Sequence, residues 1–129
     1  PQVLKKLGIK TDIFVFELNW DALASVNLPA YRALSKYPSI SRDLAIVVDE
    51  QVTSQQLIDI IKREIAEILV DLRIFDVYQG KGVDSGRKSV ALGLILQESS
   101  HTLTDMEVER ASAQVLTALA EQLDAKLRD

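Results

Sequence analysis

Residues 43–68 read DLAIVVDEQVTSQQLIDIIKREIAEI, and this stretch decides the fold. Its first seven residues alternate between polar and apolar side chains and predict a half-buried strand. The apolar face of that strand carries Leu44, Ile46 and Val48. Thr53 followed by Gln56 is a capping-box signature, so a helix is expected to begin there. The helical stripe that follows is Leu57, Ile60, Ile61, Ile65 and Ile68.

Two more strands are predicted downstream. Residues 69–78 form the second, although their apolar set shifts phase from Leu72 and Ile74 to Phe75 and Val77. That shift indicates either a bulge or a strand that is covered on both faces. A glycine-rich loop follows at residues 79–87, and residues 88–97 alternate as a third strand.

The last part of the chain repeats the helix signal. Thr104 and Glu107 form a second capping box. The apolar stripe behind it is Val108, Ala111, Val115, Leu119 and Leu123. Residues 125–128 are expected to form a short final strand.

The element order predicts an α+β fold. Strand, helix, strand, strand, helix, strand is the ferredoxin-like split βαβ arrangement (βαββαβ). It implies an antiparallel four-stranded sheet with two helices on one face, so the other face stays open. We assign residues 35–129 to this domain. Residues 1–34 hold one predicted strand, Ile13–Leu18, and a connector with Asn27 and Pro29, and we interpret them as the tail of a larger module plus a linker.

Composition excludes several classes of site. The chain has 129 residues, no cysteine and one histidine, His101, so thiolate metal sites, disulfides and sites with two imidazoles are excluded. No apolar run reaches the roughly 18 residues of a membrane span, and we expect a cytoplasmic protein with no membrane partner. The net charge of −4 argues against a general nucleic-acid binder but leaves a local basic patch open.

Strand alternation predicts which side chains lie on the open face. The first strand contributes Asp43, Ala45 and Val47, and the third contributes Ser89, Ala91, Gly93 and Ile95. Asp76 and Tyr78 share a face because they are two residues apart. A tyrosine beside small residues is a platform for a flat ring, and the aspartate can accept hydrogen bonds from a base. The same pattern also fits a half-buried strand tyrosine above small residues that accommodate sheet twist.

Basic residues surround the loop at residues 79–87. Arg73, Lys81, Arg87 and Lys88 bracket it, and Lys36, Arg42 and Arg128 are candidates to lie near it. Such groups suit phosphate contacts, although a charged loop tip is also ordinary solvated surface. Gly80-Lys81-Gly82 does not match a phosphate-binding loop, because the required spacing and the following helix are both missing.

Four ordered motifs carry a family resemblance. They are SKYPSISRDLA at 35–45, FDVYQG at 75–80, GRKS at 86–89 and TLTD at 102–105. They resemble the ferredoxin-fold anticodon-binding domain that closes the beta chain of bacterial phenylalanyl-tRNA synthetase. Phe16-Glu17-Leu18 and the connector at Pro29 resemble the last strand of the catalytic-like module of the same subunit. His101 departs from the family, which usually has arginine there.

The resemblance implies a function. The complete enzyme is an α2β2 tetramer that joins phenylalanine to its tRNA with ATP and Mg²⁺. This domain, itself without cofactor, metal or catalytic residues, is the part that grips the anticodon stem-loop and reads the first anticodon base, a guanine, on the open sheet face. The matching positions are Ala45, Asp76, Tyr78, Ser89 and Arg128, and the loop residues Arg87 and Lys88 are added as RNA contacts. The acidic charge is then tolerable, because the rest of the enzyme already holds the tRNA.

Two other functions suit the same fold class. A small-molecule regulatory module of the ACT-like kind needs a Gly/Asp-rich loop after the first strand, and here that loop is Asp49-Glu50-Gln51-Val52, without glycine. A hydrolase of the acylphosphatase type needs an asparagine at its site, whereas Asn19 and Asn27 both lie in the first segment. Neither alternative finds its required residues.

Overall fold

The chain divides into two compact units, residues 1–32 and 33–129. The structure, a computed structural model, describes residues 2–11, 13–23 and 34–128. Among the helices of these residues, none is both long and apolar enough to span a membrane.

The first unit contains two short helices, α1 (Gln2–Lys6) and α2 (Trp20–Leu23). The predicted strand at residues 13–18 is wrong, since residues 13–19 form neither helix nor strand. The physical reason is that a strand needs a partner for its backbone groups, and the described residues of this unit, 2–11 and 13–23, contain no other strand. Phe14 and Phe16 are 94% and 81% exposed. The predicted connector residues Asn27 and Pro29 lie outside the described residues.

The second unit has the predicted βαββαβ order. Its elements are β1 (Ile40–Asp49), α3 (Ser54–Glu64), β2 (Leu69–Tyr78), β3 (Arg87–Leu96), α4 (Asp105–Leu123) and β4 (Lys126–Leu127). The sheet order is β2-β3-β1-β4, and every neighbouring pair is antiparallel. This order confirms the ferredoxin-like fold, in which β1 and β3 occupy the centre.

Both helices begin where their capping boxes predict. The side chains of Thr53 and Thr104 accept from the backbone N–H three residues on, and Gln56 and Glu107 bond back to the cap backbone. The helix α3 ends at Glu64, so Ile65 and Ile68 of the predicted stripe lie beyond it. The helix α4 ends at Leu123, and its C-cap Asp124 adopts a left-handed conformation with φ 48°.

The core lies between the helices and one face of the sheet. Ile46, Val48, Leu92, Leu94 and Leu96 are fully buried on the sheet side. From the helices, Leu57, Ile61, Val115 and Leu119 pack against them. The predicted apolar faces of β1 and β3 therefore form the core, and the opposite face carries no helix of this unit.

The strand β2 contains two irregularities. Its pairing with β3 shifts register between Leu69 and Asp71 and again between Ile74 and Asp76. The second shift coincides with the phase change in the sequence. Of the two predicted explanations, a bulge and a strand covered on both faces, the bulge is therefore correct. It changes the face to which the later residues of β2 point, which matters for the site.

Candidate nucleic-acid interface

The open face of the sheet has a floor of small residues. Ala45 pairs with Ala91, Val47 pairs with Ser89, and Asp43 pairs with Gly93 across β1 and β3. These side chains alternate with the buried ones, so they point away from the helices. A flat ring can approach the backbone closely over such a floor.

Tyr78 stands at one end of this face. Tyr78 is the last residue of β2, lies opposite Ser89 and is 38% exposed. Its hydroxyl donates to the Lys81 carbonyl at 3.3 Å, which ties the ring to the loop that follows. The ring is therefore held by the protein while part of it remains open to solvent.

Gly80 leaves room for that ring. A Cβ at this position would lie 2.8 Å from the Tyr78 hydroxyl oxygen, a distance that real side chains do not adopt. Its φ of +152° also disfavours other residues. The glycine of the FDVYQG motif thus permits this position of the tyrosine ring.

Arg128 lies over Tyr78, although 50 positions separate them in the sequence. Its backbone N–H donates to the Ala45 carbonyl at 2.8 Å, just after β4 pairs with β1. Its guanidinium carbon is 5.3 Å from the centre of the Tyr78 ring, within range of a cation–π contact. It also donates to the Ser89 hydroxyl at 3.1 Å.

The structure brings four of the predicted residues together, namely Ala45, Tyr78, Ser89 and Arg128. Asp76 joins them on the same face, opposite Ala91, and is exposed. Ser89 is only 3% exposed and is bonded to Arg128, so the guanidinium, rather than the serine hydroxyl, forms most of the accessible surface at that point.

Arg87 is engaged in internal contacts. It donates to the Asp124 carboxylate at 2.8 Å, to the Asp124 carbonyl and to the Val47 carbonyl at 3.1 Å. The hydrogen bond from Arg87 is also the main cause that lowers the pKa of Asp124. The arginine thereby joins the end of α4 to the central strands, directly before β4 carries Arg128 onto the open face.

The other basic residues do not form one patch. Lys88 alternates to the helix side of β3, and its Nζ donates to the Glu50 carbonyl at 2.8 Å. The prediction that Lys36 and Arg42 lie near the loop at residues 79–87 is wrong. Both lie at the opposite end of the sheet, because β1 runs antiparallel to β3. Arg42 pairs there with Glu109 of α4. Arg73 lies mid-strand and pairs with Asp71.

The comparison with known proteins identifies the family. The family model of the ferredoxin-fold anticodon binding domain matches residues 35–128. The chain belongs to this family. The four motifs that carried the resemblance all lie within the matched residues, so that resemblance is confirmed.

Two curated relatives of the chain share a name. The chain is 45% identical over 128 residues to the phenylalanine–tRNA ligase beta subunit of Pseudomonas syringae pv. tomato, and 40% identical to that of Dechloromonas aromatica. Each alignment covers 99% of this chain and 16% of the relative. The chain therefore spans about a sixth of the length of these relatives.

Sequence reasoning missed Phe75 as a surface residue of the domain's open face. The bulge at the second register shift places it beside Gly93 of β3, 3.7 Å from where a Cβ would lie, and it is 60% exposed. The phase shift of the apolar residues at Phe75 was a signal for this position, because a bulge puts two successive residues on one strand opposite one residue on its partner. The face thus carries two exposed aromatic rings.

His101 lies on the helix side of the domain. His101 Nε2 is 2.9 Å from Glu107 Oε1 at the start of α4. The Thr104 backbone N–H, then His101 and the Thr104 hydroxyl, lower the pKa of Glu107 to about 2. A cavity of about 600 Å³ with mixed charges adjoins this pair. Among the described residues, no three His, Cys, Asp or Glu side chains converge as a metal site would require.

Proposed function

We propose that the open sheet face binds the anticodon stem-loop of a phenylalanine tRNA, and that the first anticodon base, a guanine, stacks on Tyr78. The observation that carries this proposal is the half-open Tyr78 ring with the Arg128 guanidinium 5.3 Å from its centre, above a floor of small residues. Four-stranded sheets of other RNA-binding domains use aromatic residues on an open face in the same way.

The charged neighbours complement guanine. Arginine is suited to the O6 and N7 acceptors of guanine, and the Arg128 guanidinium lies over one side of the Tyr78 ring, within reach of a base on that face. Asp76 lies on the same face and supplies an acceptor for the N–H groups of the opposite edge. Adenine offers an acceptor nitrogen and a donor amino group where guanine has a donor and an acceptor, so the same pair disfavours it.

The setting of the domain is part of the proposal. The chain acts as a region of a phenylalanine–tRNA ligase beta subunit in an α2β2 tetramer, and residues 1–34 extend the preceding module. ATP and Mg²⁺ act in other parts of that enzyme, so this domain supplies recognition and no reaction step. A net charge of −4 is compatible with this role, because a tethered reader needs little affinity of its own.

Replacement of Tyr78 tests the proposal. Tyr78→Ala should weaken the contribution of the anticodon to tRNA binding roughly 10- to 100-fold, because stacking is worth about 1–3 kcal/mol per base. Tyr78→Phe should cost much less, since the ring does the stacking. The measurements are amide NMR titration of the chain with the anticodon stem-loop, and tRNA charging by the tetramer that carries each variant.

Tyr37 provides a matched control. It also has a cation over its ring, with Lys36 Nζ 5.5 Å from the centroid, but it lies at the other end of the sheet. Tyr37→Ala should leave stem-loop binding unchanged. If Tyr78→Ala behaves like Tyr37→Ala, the base is read elsewhere.

Asp76 tests the choice of base. Asp76→Asn should relax the preference for guanine over adenine at the first anticodon position, because the uncharged amide can also donate to the adenine edge. Charging of tRNAs with either base measures the preference. A preference equal to that of the unchanged enzyme would remove Asp76 from the site.

A further inference from the structure

A second depression lies on the open face, away from Tyr78. Gly93 of β3 forms its floor, Phe75 of β2 stands on one side and Asp43 of β1 on the other. Arg73, Ser41 and Ile95 complete the lining, and the volume is about 310 Å³. A Cβ on Gly93 would lie 3.4 Å from the Asp43 carboxylate and 3.7 Å from the Phe75 ring, so the glycine opens the floor between them.

We infer that this depression is a second base-stacking site for the same RNA loop. In it, a further base lies against Phe75 and donates an exocyclic amino group to Asp43. The inference rests on the proposed function, since it assumes that the open face binds the anticodon loop. Its ligand is an unpaired nucleobase that carries an amino group.

The placement of Phe75 is the first argument. A phenylalanine gains about 1.5–3 kcal/mol when it is fully buried, yet this ring is 60% exposed on the face that the core does not use. The bulge sends Phe75 outwards, whereas Ile74 before it and Val77 after it are in register with core residues of β3. The strand thus presents a second exposed ring on the face where Tyr78 offers the first.

The charges beside Phe75 are the second argument. Asp43 and Arg73 oppose each other across Gly93, because both pair with that residue. Within the described residues, the Asp43 carboxylate takes part in no hydrogen bond or ion pair, so its acceptor capacity is free. Among the described residues, the exposed Arg73 side chain bonds only to the half-buried Asp71, a pair that a phosphate can displace at small cost. An acceptor and a cation beside a ring suit the base and the phosphate of one nucleotide.

The distance between the two rings defines the RNA conformation. Phe75 is three residues before Tyr78 in β2, so the backbone positions of the two rings are about 10 Å apart along the strand, and the Phe75 ring reaches towards Gly93, away from Tyr78. Stacked neighbours in a duplex are separated by only about 3.4 Å. The two sites can therefore hold only bases that are splayed apart, as they are in single-stranded loops that proteins read.

A purely structural role predicts a different outcome. Aromatic side chains also cover glycines in sheets and stabilise them. In that case Phe75→Ala lowers the melting temperature and leaves RNA binding unchanged. The two roles are separated by measuring stability and binding on the same variants.

The test uses the chain of residues 1–129 and anticodon stem-loop RNAs in which one loop nucleotide at a time is abasic. Dissociation constants are measured at low ionic strength for Phe75→Ala, Phe75→Trp, Tyr78→Ala and Val70→Ala. Val70 is the matched control, because it is also an apolar residue at a register shift of β2 and is 59% exposed.

We expect Phe75→Ala to weaken binding about 5- to 100-fold, with Phe75→Trp and Val70→Ala close to the unchanged chain. One abasic position should abolish the effect of Phe75→Ala, and a different one should abolish that of Tyr78→Ala. Gly93→Val should reproduce the loss while the domain stays folded, because its Cβ has room and valine suits a strand.

The contrary outcomes distinguish the two proposals. If Tyr78→Ala weakens binding and Phe75→Ala does not, or if one abasic position silences both, the second site is overturned and the first stands. If neither variant changes stem-loop binding by the chain or tRNA charging by the tetramer that carries it, both proposals fail.

Discussion

The two faces of the sheet differ in what their side chains do. On the helix side, Leu92 and Leu94 are fully buried, and their neighbours from both helices leave them no access to solvent. On the open side, the two neighbours of Leu92 in β3 are Ala91 and Gly93, while the large side chains Phe75 and Tyr78 stand exposed. The difference teaches that one face carries the stability of the domain and the other is free to carry recognition.

The largest effect is expected from breaking the helix side. Leu92→Ala should lower the free energy of unfolding by about 2–5 kcal/mol, because it leaves a cavity in a fully buried position. Urea denaturation followed by circular dichroism measures the change. Ile95→Ala on the open side of the same strand is the control and should cost much less. Equal losses at the two positions would contradict the division between the faces.

Replacements of Arg87 and Lys88 should also differ, the first in its effect on stability and the second in its effect on binding. Arg87→Ala should destabilise the domain by about 1–3 kcal/mol, because it removes charge-assisted bonds to Asp124 and to the Val47 carbonyl. Lys88→Ala should leave stability nearly unchanged, since the one side-chain hydrogen bond that Lys88 makes among the described residues is exposed. If Lys88 contacts a phosphate, its loss weakens binding to all stem-loops alike and lowers the salt slope by about one.

Denaturation curves and stem-loop titrations over a series of salt concentrations check both variants. Identical stability losses for Arg87→Ala and Lys88→Ala would show that the Asp124 contacts contribute nothing. An unchanged salt slope for Lys88→Ala would leave Lys88 as solvated surface.

The capping box of α4 should give a smaller effect that is confined to stability. Thr104→Ala should cost about 1 kcal/mol, because the helix loses the acceptor for its Glu107 N–H. Thr53→Ala at the start of α3 is the parallel variant. Since α4 packs on the helix side, base preference should not change in either variant, and a changed preference would contradict the independence of the two faces.

Glu107 makes the stability that the capping box of α4 contributes depend on pH. Its pKa falls from 4.5 to about 2 on folding, because Thr104 and His101 donate hydrogen bonds to the carboxylate. The stabilisation is therefore present above about pH 4.5 and is lost as the pH falls towards 2. Glu107→Gln should flatten the pH dependence of unfolding in that window. An unchanged slope would show that the carboxylate does not contribute.

Local patterns in the sequence were sufficient for the fold. Alternation in β1 and β3 predicted which residues form the core, because side chains in a strand point to opposite faces in turn. Both capping boxes gave the helix starts, since their hydrogen bonds are made within four residues. The same reasoning failed for residues 13–18, because a strand forms only where another strand is available to pair with it.

The sequence predicted only part of the candidate site. Tyr78 and Asp76 lie on one face by simple spacing, and the sequence alone determined that much. The outward position of Phe75, the guanidinium of Arg128 over the Tyr78 ring and the contacts of Arg87 with Asp124 were decided by the tertiary structure. Each depends on pairing between distant segments: the register of β2 on β3 places the bulge, and β4 beside β1 brings residue 128 back to residue 45. The hydrophobic pattern of a single strand selects the face that it buries, but the residue that lies opposite each position is decided only when the strands pair.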